Sequence, residues 1–168
     1  MELWVFGYGS LVWKQGFEVA ESRKARLDGY RRRFCMWSIH HRGTEDEPGL
    51  VLALEPADGA ACDGMAFRAA DPETALAALR ERELVSAAYH ERRLPLWTPE
   101  GEVEAVAYVV DTAHRQYARD LTLSQQAEII GRAAGGQGPN VEYLRNTARA
   151  LRDEGIRDPD LERLAGMI

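Results

Sequence analysis

Between Leu3 and Arg68 the chain offers four β-prone segments with no helix between them. Leu3 to Phe6 is apolar, and Arg32 to Ile39 alternates around Phe34, Met36 and Trp37. Leu50 to Leu54 is aliphatic, and Asp63 to Arg68 resumes after the Asp58-Gly59 turn. Parallel strands need long crossovers, usually helical, so short strands in series predict mostly antiparallel pairing in a curled sheet or small barrel. The breaker-rich stretch His41-Arg42-Gly43-Thr44-Glu45-Asp46-Glu47-Pro48-Gly49 predicts a loop.

Helical signals come later. Asp71-Pro72 places an N-cap acceptor before a proline in the first turn, predicting a helix through about Leu84. Leu94 to Thr98 and Val103 to Val110 read as two strands joined by a turn at Pro99-Glu100-Gly101. Thr122-Leu123-Ser124-Gln125 has capping-box form and opens a helix to about Ala133. Gly135-Gly136-Gln137-Gly138-Pro139 predicts a flexible turn, after which Asn140 caps a helix with Leu144, Ala148 and Leu151 on one face. Asp158-Pro159 repeats the start signal before a short last helix.

The 168 residues, 45% of them hydrophobic, predict one domain, residues 1–168, with a substantial core. No apolar run reaches the roughly 20 residues that span a bilayer, so no membrane partner is expected. Glu2 and the lack of a basic leader do not support a secretory signal. Cys35 and Cys62 are too few for a disulfide framework, which leads to a cytoplasmic expectation. A net charge of −6 argues against a nucleic-acid partner. The run Arg31-Arg32-Arg33 is the local exception: it reads as surface pairing along a strand, or as a contact to phosphate or carboxylate.

Two features point to chemistry. The first is Gly7-Tyr8-Gly9-Ser10, set between apolar Trp4-Val5-Phe6 and Leu11-Val12-Trp13. Glycines either side of a tyrosine permit a sharp turn and close approach, and Ser10 adds a hydroxyl beside freed N–H groups. The turn either joins two buried segments or binds a small polar or anionic group. The second is Glu83. At about 100° per residue, Leu76, Leu79 and Glu83 fall within about 60° of one another, while Glu73 and Glu81 face away. A carboxylate on an apolar stripe is either paired, with Arg80 or another arginine, or held at a raised pKa suited to general acid/base work.

Other constellations are weak. His40, His41, His90 and His114 lack metal-ligand spacing. The glycine turn lacks the lysine of a phosphate loop, and Ser10 lacks a nucleophile elbow. Cys35 reads as a small core residue. Tyr143, near the start of its helix, either packs in the core or offers its hydroxyl to a ligand.

Val5-Phe6-Gly7-Tyr8-Gly9-Ser10-Leu11-Val12-Trp13 resembles the opening motif of the ChaC-type γ-glutamylcyclotransferases. The resemblance continues in order through His41-Arg42-Gly43-Thr44 with Pro48-Gly49, then Asp63-Gly64-Met65-Ala66-Phe67-Arg68. It extends to Leu79-Arg80-Glu81-Arg82-Glu83-Leu84 followed by Ala88-Tyr89, and to Gly138-Pro139-Asn140-Val141-Glu142-Tyr143-Leu144. Leu84 and Val141 depart from the usual pattern. The resemblance implies a mixed α/β fold on a small, mostly antiparallel barrel with flanking helices. It implies cleavage of a γ-glutamyl amide, typically glutathione, to 5-oxoproline and a free amine, with no metal or organic cofactor. Glu83 then stands where the family carries its catalytic glutamate, and Tyr8, Gly9, Ser10, Leu11 and Tyr143 are the candidate substrate contacts. Two alternatives remain: a cyclotransferase for other γ-glutamyl amines or amino acids, and a non-catalytic module binding an amino-acid-like ligand.

Overall fold

The computed structural model describes residues 2–84 and 87–168. The predicted loop from Val85 to Ala88 lies partly outside them. Strand β1 (Trp4–Gly7) leads into a single 3-10 turn at Ser10–Val12. Two long strands follow, β2 (Val19–Ser38) and β3 (Gly49–Ala69). Helix α1 (Pro72–Glu83) precedes the hairpin of β4 (Tyr89–Thr98) and β5 (Gly101–Val110). Helix α2 (Leu123–Arg132) and a small hairpin, β6 (Ala134–Gly135) and β7 (Gly138–Pro139), lead to α3 (Asn140–Asp153) and α4 (Pro159–Gly166).

Strands β1 to β5 close a barrel in the order β1-β3-β2-β4-β5. The β1/β3, β2/β3, β2/β4 and β4/β5 ladders are antiparallel. Closure is parallel: Trp4 and Val5 of β1 pair with Ala105 and Val106 of β5, and Leu54 of β3 pairs with Val109. The mixed α/β barrel with flanking helices is thus the fold expected.

Three boundaries differ from expectation, and the simplest is β4, which begins at Tyr89 rather than Leu94. The segments around Phe34, Leu52 and Met65 belong to one hairpin of two strands of about twenty residues each. Register shifts between Val19 and Glu21, Asp28 and Tyr30, and Phe34 and Met36 break the period of two. Such bulges bend the strands and conceal their continuity from a pattern search. The glycine-rich stretch at 135–139 is a hairpin, not a free turn. The Gly136 and Gln137 N–H groups donate to the His40 and His41 carbonyls at 2.7 and 2.8 Å. A Cβ on Gly135 would meet the Gly43 nitrogen at 2.5 Å, so the two backbones pack directly.

Helices α1, α2 and α4 begin where their caps predict. Asp71 accepts from the Thr74 N–H, Asp158 from the Leu161 N–H, and Thr122 with Gln125 completes the capping box. Asn140 corrects the cap expected there. It is the first helical residue, and its side chain accepts from the Leu50 N–H at 2.8 Å and donates to the Leu50 carbonyl at 2.7 Å. An amide buried beside a strand satisfies both groups by mimicking a strand partner.

The largest apolar cluster joins Phe6, Phe34, Leu52 and Leu96 of the barrel to Ile130, Leu144, Leu151 and Leu164 of the later helices. A second cluster joins Leu3, Val5, Leu11, Val106 and Tyr108 to Ala75 and Leu79 of α1, with Leu76, Leu84 and Tyr89 packed against it. This second cluster positions the site: Leu11 ends the glycine turn, and Leu79 is one helical turn before Glu83.

Candidate active site

Glu83 is the last residue of α1, and its side chain is only 14% exposed, whereas Glu73 and Glu81 face solvent. Arg80 does not neutralise it, because Arg80 makes a bidentate pair with Glu91 at 3.0 Å on each arm. The nearest cation is Arg82, whose Nε stands 3.7 Å from Glu83 Oε1. Burial pushes the Glu83 carboxyl above its ordinary value, and the Arg82 charge offsets only part of that.

Arg82 has a second task. Its Nη2 donates to Ser10 Oγ at 2.6 Å and its Nη1 to the Lys14 carbonyl. One guanidinium therefore joins the end of α1 to the turn after β1. Within that turn the Val12 N–H closes onto the Gly9 carbonyl at 3.0 Å. Among the described residues, the N–H groups of Gly9, Ser10 and Leu11 meet no acceptor. These are the freed donors that the glycine spacing predicts.

Tyr143 closes the other side. Its hydroxyl accepts the Leu52 N–H at 3.2 Å, and its ring packs edge-on against Trp13 and Phe34. A Cβ on Gly9 would stand 3.3 Å from this hydroxyl, so glycine lets the turn approach it closely. Burial pushes the Tyr143 phenol up to about 12, and the Glu83 charge adds to that rise. Tyr8 is pushed well up by burial, then by Tyr89 and Glu83, and Tyr89 by burial and then Glu83. All three phenols stay protonated at neutral pH, each a hydroxyl able to donate.

The structure thus gathers Tyr8, Gly9, Ser10, Leu11, Glu83 and Tyr143 in one region, and adds Arg82 and Tyr89. Arg82 carried no periodic signal of its own, since it lies off the apolar stripe. Among the described residues no group of His, Cys, Asp and Glu has the geometry to hold a metal ion. Cys35 is a core residue, as expected, its thiol pushed up to about 12 by burial. Cys35 and Cys62 are both buried and free. No described helix is long and apolar enough to cross a membrane.

A family model described as ChaC-like protein matches residues 3–168. The chain belongs to the ChaC-like family. It is 36% identical to γ-glutamylcyclotransferase 2-3 of Arabidopsis thaliana, over 100% of this chain and 89% of that protein. It is 34% identical to the glutathione-specific γ-glutamylcyclotransferase of Escherichia coli (strain K12), over 96% of this chain and 71% of the relative. Among solved structures, a γ-glutamyl cyclotransferase specific to glutathione from yeast superposes with a TM-score of 0.88. That match covers 99% of this chain and 95% of the yeast chain at 21% identity, and so bears on the fold.

Proposed function

We propose that the protein is a γ-glutamylcyclotransferase that cleaves glutathione to 5-oxoproline and Cys-Gly, with Glu83 as general acid and base. The supporting observation is the desolvated Glu83 carboxyl, coupled through Arg82 to a turn whose N–H groups are open.

The substrate carries both reacting groups. Its α-amine attacks its own γ-carbonyl and closes a five-membered ring, so the protein must hold the γ-glutamyl chain curled. The α-ammonium gives up two of its three protons as the ring forms. The departing nitrogen gains two as the amide bond breaks and the free amine leaves as ammonium. One carboxyl can shuttle them in turn, taking a proton as carboxylate and delivering it as acid. Burial brings the Glu83 carboxyl nearer the pKa such a shuttle needs. The N–H groups of the Tyr8–Leu11 turn bind the α-carboxylate or the oxyanion that develops on the γ-carbonyl. Tyr143 adds a phenolic donor. No step calls for a metal or organic cofactor.

One domain spanning residues 1–168 performs this, its apolar clusters running from Leu3 to Leu164. The ligand is a small molecule rather than a nucleic acid or a membrane. The buried free thiols fit a cytoplasmic setting.

Incubation with glutathione, with 5-oxoproline and Cys-Gly followed by mass spectrometry, tests the reading. Stoichiometric formation of both products is expected. Turnover of other γ-glutamyl amines without glutathione would reassign the substrate, and binding without product would reassign the protein as a ligand-binding module.

A further inference from the structure

The run Arg31-Arg32-Arg33 has no part in the proton shuttle, and its members divide by strand alternation. Arg31 and Arg33 both pair with buried Glu55, at 2.5 and 2.8 Å. Arg32 lies two residues from Phe34, on the same face of β2, and its side chain is 4% exposed. Each arm of its guanidinium is engaged. Nε donates to the Tyr8 carbonyl at 2.5 Å, Nη2 to the Asp63 carbonyl, and Nη1 to Asp158 Oδ2 at 2.8 Å. Asp158 is also the N-cap of α4, accepting the Leu161 N–H at 3.1 Å.

We propose that Arg32 is a positioning residue that aims the Gly9 N–H at the substrate, with Asp158 and α4 as its strut. A peptide unit is planar, and in the trans form its C=O and N–H point in opposite directions. Among the described residues no peptide bond is cis. Fixing the Tyr8 carbonyl toward Arg32 therefore fixes the Gly9 N–H on the opposite side. Without that anchor the Tyr8–Gly9 unit is free to rotate, and glycine places little steric limit on the rotation. The fork matters as much as the charge: a lysine's three donors all radiate from one nitrogen and cannot reach the Tyr8 carbonyl, the Asp63 carbonyl on β3 and the Asp158 cap of α4 together. The inference rests on the reading of the Tyr8–Leu11 turn as the substrate-holding element.

The test compares Arg32→Lys, Asp158→Asn and Leu96→Ala by the backbone NMR order parameter of Gly9, by kcat/KM on glutathione and by Tm. Leu96 is buried on β4, which carries neither Arg32 nor any of its acceptors, so it reports destabilisation alone. In folded Arg32→Lys the Gly9 order parameter is expected to fall from about 0.85 to about 0.6 or below. Its kcat/KM should fall at least ~10-fold, a fraction of an oxyanion-donor loss. Asp158→Asn should move both quantities the same way by less, and serves alone if Arg32→Lys does not fold. Leu96→Ala should lower Tm while leaving the order parameter unchanged and kcat/KM within about 2-fold, as its role is packing. An unchanged order parameter in folded Arg32→Lys overturns the proposal, as does a lowered one with unchanged kcat/KM, or an equal loss in Leu96→Ala. If the wild type turns over no γ-glutamyl compound, the functional reading fails separately and the order parameter alone decides whether Arg32 fixes the peptide.

Discussion

Arg82 donates to Ser10 Oγ across 2.6 Å while its Nε stands 3.7 Å from Glu83. One side chain thus sets both the distance between the proton shuttle and the turn and part of the charge the shuttle feels.

Replacing Glu83 with Gln removes the shuttle but keeps the shape. Turnover should fall on the order of 10² to 10⁴-fold, with KM changed little. Steady-state assays on the folded variant check this, and near-normal 5-oxoproline release would discard Glu83 as the acid/base.

The same variant should be more stable at neutral pH. The folded-state pKa of Glu83 lies above its unfolded value. The stability this group contributes is therefore full below the unfolded pKa of about 4.3 and is lost as pH rises through the folded value. Glu83→Gln should raise Tm at pH 7, by roughly 2–4 °C for each kcal/mol recovered. The two proteins should converge below about pH 4. Calorimetric melts from pH 3.5 to pH 8 measure the gap.

The shuttle must begin ionised, so activity should fall on acidification, through a limb above the ordinary carboxylate range. Arg82 lowers the Glu83 pKa, so Arg82→Gln should move that limb to higher pH. It also frees Ser10, so kcat/KM should drop at every pH. A pH–rate profile whose limb stays in place or moves down would contradict the electrostatic role.

A branched side chain at Gly9 has no room beside Tyr143, where even a Cβ would lie 3.3 Å from the hydroxyl. Gly9→Val should displace the turn and lower kcat/KM by roughly 10²-fold or more, the scale of one lost oxyanion donor. Tyr143→Phe keeps the ring and removes one hydroxyl, so its loss should be smaller. Equal kinetics for Gly9→Val and wild type would remove the turn from the site.

Glu55 gathers Arg31, Arg33 and the Tyr117 hydroxyl, the last at 2.7 Å. Burial pushes its carboxyl up, but hydrogen bonds from Arg33, Tyr117 and Arg31 outweigh that and hold it at about 2. A depressed folded pKa contributes stability above the unfolded value of about 4.3, and that stability is lost as pH falls toward 2. Glu55→Gln should cost about 3 kcal/mol at pH 7, the low end for a broken buried pair because Arg31 is half exposed. This corresponds to a Tm lower by roughly 10 °C. Chemical denaturation at pH 7 and pH 3 checks it, the gap narrowing at the lower pH.

Much of this molecule was legible residue by residue. The Asp71-Pro72, Thr122–Gln125 and Asp158-Pro159 starts hold because a cap depends on neighbours within one turn. Glu83 was visible because a helix converts spacing into direction, and Leu79 beside it is buried as its position on the stripe requires. Arg32 shared a face with Phe34 in the sequence, but a strand's alternation does not reveal what lies opposite a buried arginine. The β2/β3 hairpin was concealed where bulges shift its period, and Asn140 was misplaced because its partner, Leu50, lies far away in the chain.

The sequence by itself determined the local elements, the acid on an apolar stripe, the freed donors of the Gly7–Ser10 turn and the family pattern. These depend on periodicity and on interactions among near neighbours. Only the tertiary structure decided that Arg82 reaches Ser10, that Arg32 joins Tyr8 to Asp158, and that β1 and β5 close the barrel in parallel. Those contacts join groups distant in the chain, and their geometry follows from strand register and helix packing, which no local pattern encodes.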